Sequence, residues 1–275
     1  MQRILSMTMA LASLTLGCSA SRAASITWGP ATNIAGDADV RTGGSLVAAY
    51  NFGGRDVGVA TINGVAFQPF AVAGNPSTHG GVTIAESPGI LLGLDDYFGS
   101  ASAPFTDLSS AYQAMLRSGG FTIWQSTLTL TLDGLAVGQA YEIQIWSNFS
   151  DAGSRSASLE SGGSVDLDWN PSGVDGGLGQ FVVGSFVADS ASQSIRITGS
   201  ADFDTGVLVN GLQLRTAAAV PEPAGLVLMA VGAASIAWLA SRRRTDTPQP
   251  GAGPRVASRA STAARSTGFP SRAAR

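Results

Sequence analysis

Between Ser126 and Leu135 the chain reads STLTLTLDGL, a strict alternation of leucine and threonine. Only an extended strand sorts such a run into two faces, because successive side chains of a strand point to opposite sides. Leu128, Leu130 and Leu132 then form an apolar row, and Thr127, Thr129 and Thr131 a wet row of β-branched residues. Gly134 and Gly138 supply turn positions, and the chain returns as YEIQIW with Tyr141, Ile143 and Ile145 facing inward. The same device recurs in QSIRITG, with Ile195 and Ile197 inward and Arg196 outward. A chain patterned in this way has to close sheet on sheet.

The other segments agree. Strands are expected at 25–28, 45–52, 57–62, 65–70 and 81–85, and Asn63-Gly64 is a two-residue hairpin turn. GQFVVGSFVA and GVLVNGLQLR are nearly continuous apolar runs, as in central strands buried on both faces. Val207 and Val209 differ in parity from Leu212 and Leu214, which predicts a one-residue bulge at Asn210-Gly211. TDLSSAYQAMLRSGG predicts the one helix, with Thr106 as N-cap, Gly119 as its end and Leu108, Tyr112, Met115 and Leu116 on one face. No repeat of fixed period occurs, which sets aside propellers and solenoids. The expected class is all-β: a two-sheet, jelly-roll-like sandwich over residues 24–219 with one short helix.

Charge narrows the function. All sixteen basic residues are arginine, and residues 24–219 hold six of them against seventeen carboxylates, a formal charge of −11. A domain so acidic repels phosphate backbones, so nucleic acid is excluded as a partner.

Catalytic patterns are sparse. His79 is the only histidine, in the loop sequence GNPSTHGG, and there is no lysine, Gly-x-Ser-x-Gly elbow or His-Glu-x-x-His helix. Glu86, Asp95, Asp96, Glu142 and Glu160 keep open a hydrolase that uses a carboxylate pair. Asp166, Asp168 and Asn170 alternate in DLDWNPSGVDGG, with Ser172 and Asp175 following. That pattern suits a structural Ca²⁺ held by oxygen ligands, or else a wet strand face followed by a polar turn. Asp37 and Asp39 offer a similar pair. No cofactor is required by any of these patterns.

Trp146 shares parity with Glu142 and Gln144, away from the inward row. An indole beside an amide and a carboxylate on a sheet face can hold a sugar, unless a helix or loop covers it and makes a second small core. Trp124 is a weaker candidate of the same kind, and Trp169 shares the parity of Leu167, which predicts burial.

The two ends address the chain. Residues 1–23 carry Arg3, an apolar stretch from Met7 to Leu16 and small residues suited to cleavage after Ala20 or Ala23, the three parts of a secretory signal. Cys18, the one cysteine, leaves open a lipid anchor. Near the other end, Ala224 to Ala240 is uncharged over seventeen residues. As a helix it would be about 25 Å long, close to the ~30 Å hydrocarbon core of a bilayer. Trp238 sits at its edge, and Arg242, Arg243 and Arg244 form a positive stop on the cytoplasmic side. Pro221 and Pro223 keep the approach extended. Residues 245–275 are rich in Pro, Gly, Ser, Ala and Arg and are expected to be disordered.

Pro221-Glu222-Pro223, the apolar span 224–240 and Arg242 to Arg244 together resemble the PEP-CTERM sorting signal of bacterial envelope proteins. The resemblance covers residues 220–244. It implies an exosortase-type membrane protease as partner, passage through the inner membrane, and delivery to the envelope or the outside of a bacterium that makes exopolysaccharide. The preceding domain is similar to uncharacterised β-rich domains of such proteins. The expectation is an exported, non-catalytic binding or structural module, with polysaccharide as its ligand.

Overall fold

A computed structural model describes residues 24–123, 126–151, 153, 155–199 and 206–217. The chain separates into two units, Met1–Val220 and Pro221–Arg275. The expected export signal, Trp124, the Pro-Glu-Pro segment, the apolar span 224–240 and residues 245–275 lie outside the described residues. Among the described residues no helix is long and apolar enough to cross a membrane.

In chain order the first strands are β1 (Thr27–Trp28), β2 (Thr32–Asn33), β3 (Ser45–Gly53), β4 (Ala60–Ile62), β5 (Val65–Ala71), β6 (Ser77–His79), β7 (Val82–Ser87) and β8 (Leu91–Leu94). After α1 (Ser110–Arg117) come β9 (Gly119–Thr122), β10 (Thr127–Asp133), β11 (Ala140–Ser147), β12 (Ser156–Glu160) and β13 (Ser164–Asp168). The last are β14 (Gln180–Val187), β15 (Ser192–Gly199), β16 (Leu208–Val209) and β17 (Gly211–Thr216).

The larger sheet runs β1-β14-β11-β17-β3-β5-β4, with β2 also beside β14. The second runs β13-β12-β15-β10-β7-β6, and a small third sheet runs β16-β9-β8. The alternation of β10 fixes which face turns inward. Leu128, Leu130 and Leu132 are buried and pair across to Ile197, Ile195 and Gln193. Tyr141, Ile143 and Ile145 of β11 meet them from the other sheet, in one cluster with Leu212, Leu214, Val182 and Phe186. This is the sandwich expected from the pattern. Asn63 and Gly64 turn between β4 and β5 with φ of 49° and 77°, the left-handed pair that a tight hairpin requires.

A second apolar cluster forms on the outer face of the larger sheet, under α1. Tyr112, Met115 and Leu116 of the helix pack on Ala49, Phe67, Trp146 and Phe181. Gly211 is bare because Met115 lies on it: a Cβ there would stand 2.7 Å from Met115 Sδ. The helix starts later than the sequence suggests. Thr106 lies in a 3₁₀ turn, Phe105–Asp107, and Ser109 is the cap, its Oγ accepting from the Tyr112 N–H at 3.2 Å.

The expected bulge at Asn210-Gly211 is a change of sheet instead. Leu208 and Val209 pair with β9, whereas Gly211 onward joins β11 and β3. The register irregularity falls at Leu214/Arg215. Parity misled because Leu208, Val209, Leu212 and Leu214 are all buried, each run against different neighbours. Asn210 makes the crossing satisfiable. Its N–H donates to Trp146 O at 3.0 Å and its C=O accepts from the Phe52 N–H at 2.9 Å. Its Nδ2 donates to the carbonyls of Leu116 and Ser118 at 3.0 and 2.8 Å, and its Oδ1 accepts from the Asn148 N–H at 2.6 Å.

Candidate functional site

The row Glu142, Gln144 and Trp146 does lie on the outer face of its sheet, but that face is covered. Trp146 is 0% exposed. Its Nε1 donates to Tyr112 Oη at 2.8 Å, and Phe67 meets its ring edge-on at 5.5 Å. Burying about 200 Å² of indole at about 25 cal/mol per Å² stabilises the fold by about 5 kcal/mol, more than one exposed stacking contact returns. The expectation of an open sugar platform at Trp146 is therefore corrected: the residue is the centre of the second core. Gln144 is buried as well, accepting from the Arg41 N–H at 3.1 Å and donating to Asp39 O at 2.9 Å. Gln213 and Arg215 continue the same strapping. Arg215 donates to the carbonyls of Thr42, Gly43 and Gly44, so segment 39–44 is laced over the sheet. Glu142 is half-buried beside Arg41 and Thr216 at the strap's edge.

The four oxygen residues proposed for Ca²⁺ are not brought together as a carboxylate-rich cage. Asp166 is exposed on β13. Asn170 is fully buried and its Oδ1 already accepts from Ser172 Oγ at 2.6 Å and the Gly173 N–H at 3.2 Å. Asp168 Oδ1 accepts from the Asn170 N–H at 2.9 Å, which makes a turn of this segment. Asp175 accepts from Ser100 Oγ at 2.7 Å and Ser102 Oγ at 2.5 Å. Those hydroxyls, Ser102 first, hold its carboxyl below the ordinary aspartate value. Among the described residues no group of three or more His, Cys, Asp or Glu is placed to hold a metal ion. Asp37 and Asp39 fasten α1: Asp37 Oδ1 accepts from Ser109 Oγ at 2.6 Å and Asp39 Oδ2 from Tyr112 Oη at 3.4 Å. Trp169 is buried, as its parity predicts.

His79 ends the edge strand β6, exposed, with Tyr50 edge-on at 5.4 Å. Glu160 faces Arg196 at 4.0 Å on the open face of the second sheet, where such a pair contributes little. Glu86 sits at an inward position of β7, opposite Leu128. Desolvation raises its carboxyl above the ordinary value, and a contact with Ser126 offsets part of that.

A recess lined by several charged side chains lies elsewhere, beside the end of α1. Its volume is about 310 Å³, and it is lined by Asn51, Asp56, Val57, Val59, Asp95, Asp96 and Arg117, among others. Four chain segments build it. Asn51 is on the outer face of β3, level with Gly211 and so next to the helix. Asp95 anchors the loop after β3: its Oδ1 accepts from the Gly54 N–H at 2.7 Å and its Oδ2 from the Asp56 N–H at 2.9 Å. Gly53 and Gly54 have to be bare for this, since a Cβ on either would fall 2.6 Å from an Asp95 oxygen. Arg117, in the last turn of α1, donates through Nη1 to Asp96 Oδ1 at 3.0 Å and through Nη2 to Ser100 O at 3.4 Å. Its guanidinium also lies 5.3 Å from the Phe105 ring centre.

Two features stand out in this region. Asn51 is 2% exposed, its Nδ2 donates to Gly58 O at 3.1 Å, and its Oδ1 has no donor among the described residues. A buried acceptor in this condition costs about 1–3 kcal/mol. Next to Asp96, Tyr97 is 59% exposed and held from behind by Phe98, edge-on at 5.2 Å, and by Phe149 at 5.9 Å. Both Tyr97 and Phe98 donate their N–H groups to Arg117 O at 2.9 Å, which ties the aromatic to the wall of the recess. Of the predicted carboxylates, Asp95 and Asp96 come together here. Asn51, Asp56 and Tyr97 were not singled out by sequence; the adjacent glycines of FGGRD are a local signal that could have pointed to this loop.

No protein-family model matches the chain, and no curated protein matches it. A comparison with solved structures found a chain described under "Structural basis for the promiscuous specificity of the carbohydrate-binding modules from the beta-sandwich super family". It is 13% identical, the overlap covers 54% of this chain and 71% of that one, and the TM-score is 0.14. With both measures so low, the β-sandwich and the recess stand on their own geometry.

Proposed function

We propose that the protein is an exported, non-catalytic module that binds polysaccharide at the Asn51–Arg117 recess. The observation that carries this is the acceptor Oδ1 of Asn51, buried without a donor among the described residues, on a residue lining a recess whose other polar side chains are three carboxylates, a guanidinium and the Ser118 hydroxyl. Sugar hydroxyls are donors, and Tyr97, next in the chain to the lining residue Asp96, is an exposed ring packed on Phe98 and Phe149 that can stack on a pyranose. Three carboxylates share the recess, which is the requirement of the hydrolase alternative. Asp95 has both oxygens on backbone N–H groups and Asp96 is paired with Arg117, which leaves Asp56 without a second free carboxyl to complete an acid–base pair. The strand order supports a jelly roll: β3-β17-β11-β14 in one sheet stands against β10-β15-β12-β13 in the other, and the chain crosses between them from β10 to β11, β11 to β12, β13 to β14 and β14 to β15.

The address rests on sequence. Pro221-Glu222-Pro223, the span 224–240 and Arg242 to Arg244 support recognition by an exosortase-type protease at the inner membrane and release to the envelope or beyond. A polysaccharide array probed with the full-length chain tests the binding reading. Binding that falls at least ten-fold in Tyr97→Ala and Asn51→Ala is expected, and a chain that binds no polysaccharide would refute it. Extraction of membranes with alkaline carbonate tests the address: the full-length chain is expected to stay with the lipid.

A further inference from the structure

The recess also carries information about which saccharide it takes, and this inference rests on the binding reading above. Its lining sets Asp56, Asp95 and Asp96 against the one guanidinium of Arg117. That guanidinium is engaged on each side, by Asp96, by the Ser100 carbonyl and by the Phe105 ring. The Asn51 amide has its donor on Gly58 O, and its buried acceptor has no donor among the described residues. The Asp56 side chain accepts no hydrogen bond among the described residues, although its own N–H is held by Asp95. Apart from the Ser118 hydroxyl, which can act either way, the polar groups free to meet a ligand are acceptors, and no free cation stands among them.

An incoming carboxylate would meet three carboxylates in the lining, where the one guanidinium is already engaged; Arg55, exposed next to Asp56 in the chain, is not part of that lining. A hydroxyl or an ammonium meets acceptors that lack donors. We infer that the recess selects non-anionic saccharide units, binding amino sugars more tightly than neutral ones and rejecting uronates. The overall charge of −11 on residues 24–219 acts in the same direction at longer range.

Three hexasaccharides test this on the full-length chain in neutral detergent by titration calorimetry: glucosamine, N-acetylglucosamine and galacturonate hexamers. The expected order has the amine about ten-fold tighter than the N-acetyl hexamer, and the uronate at least about ten-fold weaker than it. Asp56→Asn should cut the amine preference about five-fold, while Asp189→Asn, which removes an equal charge outside the recess, should leave it unchanged. A uronate hexamer that binds as tightly as the neutral one would overturn the selectivity and leave the binding reading standing. Equal effects of the two substitutions would overturn the recess as its source. Failure of all three hexamers to bind would overturn the binding reading and this inference with it.

Discussion

Asn210 offers the sharpest test of the packing argument. It is 0% exposed, and its side chain ties the crossing to two segments: the end of α1 through Leu116 O and Ser118 O, and the segment after β11 through the Asn148 N–H. Asn210→Ala leaves one buried N–H and two carbonyls without these partners and opens a small void. Each orphaned group costs about 1–3 kcal/mol, and because neighbouring losses share relaxation the total should be about 3–5 kcal/mol. For a domain of this size about 1 kcal/mol moves the midpoint by about 2–4 °C, so a fall of roughly 6–20 °C is expected. Asn210→Asp discriminates the cause. It keeps the acceptor for Asn148 but turns a two-carbonyl donor into a buried anion, so it should be at least as damaging. Both are read by denaturant and thermal unfolding of the full-length chain, with near-ultraviolet circular dichroism to follow Trp146. If Asn210→Ala stayed within about 1 kcal/mol of the parent, the claim that this side chain secures the sheet crossing would be wrong.

Tyr112→Phe should cost about 1–3 kcal/mol, because the buried Trp146 Nε1–H loses its acceptor at 2.8 Å, and unfolding curves would show it. Gly64→Ala should cost about 1 kcal/mol by placing a Cβ at φ 77° in the hairpin, checked by the same curves. Glu86 gives a pH signature. Its folded carboxyl lies above the ordinary value of 4.5, so the stability it contributes is fully present below pH 4.5 and is lost as pH rises through the raised value. Glu86→Gln should remove that decline, and a midpoint-against-pH profile that matches the parent would contradict the burial argument.

The alternation in β10, β11 and β15 was enough to place the inward rows, because a strand's two-residue period is local and each row is buried in the sandwich. The Asn63-Gly64 turn and the apolar stripe of α1 were legible for the same reason: left-handed turn geometry and the helical period are properties of a few adjacent residues. The address we propose rests on the two ends, read from length, charge and proline alone and lying outside the described residues. Alternation divides a strand into two faces but does not say what meets the second one. Only the tertiary structure decided that Trp146 and Gln144 lie under α1 and the 39–44 strap rather than in water. It likewise decided that the parity change at Asn210 is a crossing between sheets, since the two runs bury against different partners. The recess is the extreme case. Asn51, Asp56, Asp95 and Arg117 are up to 66 positions apart in the chain, and they share a wall because β3 packs beside the helix end while Asp95 draws the loop after β3 across to it.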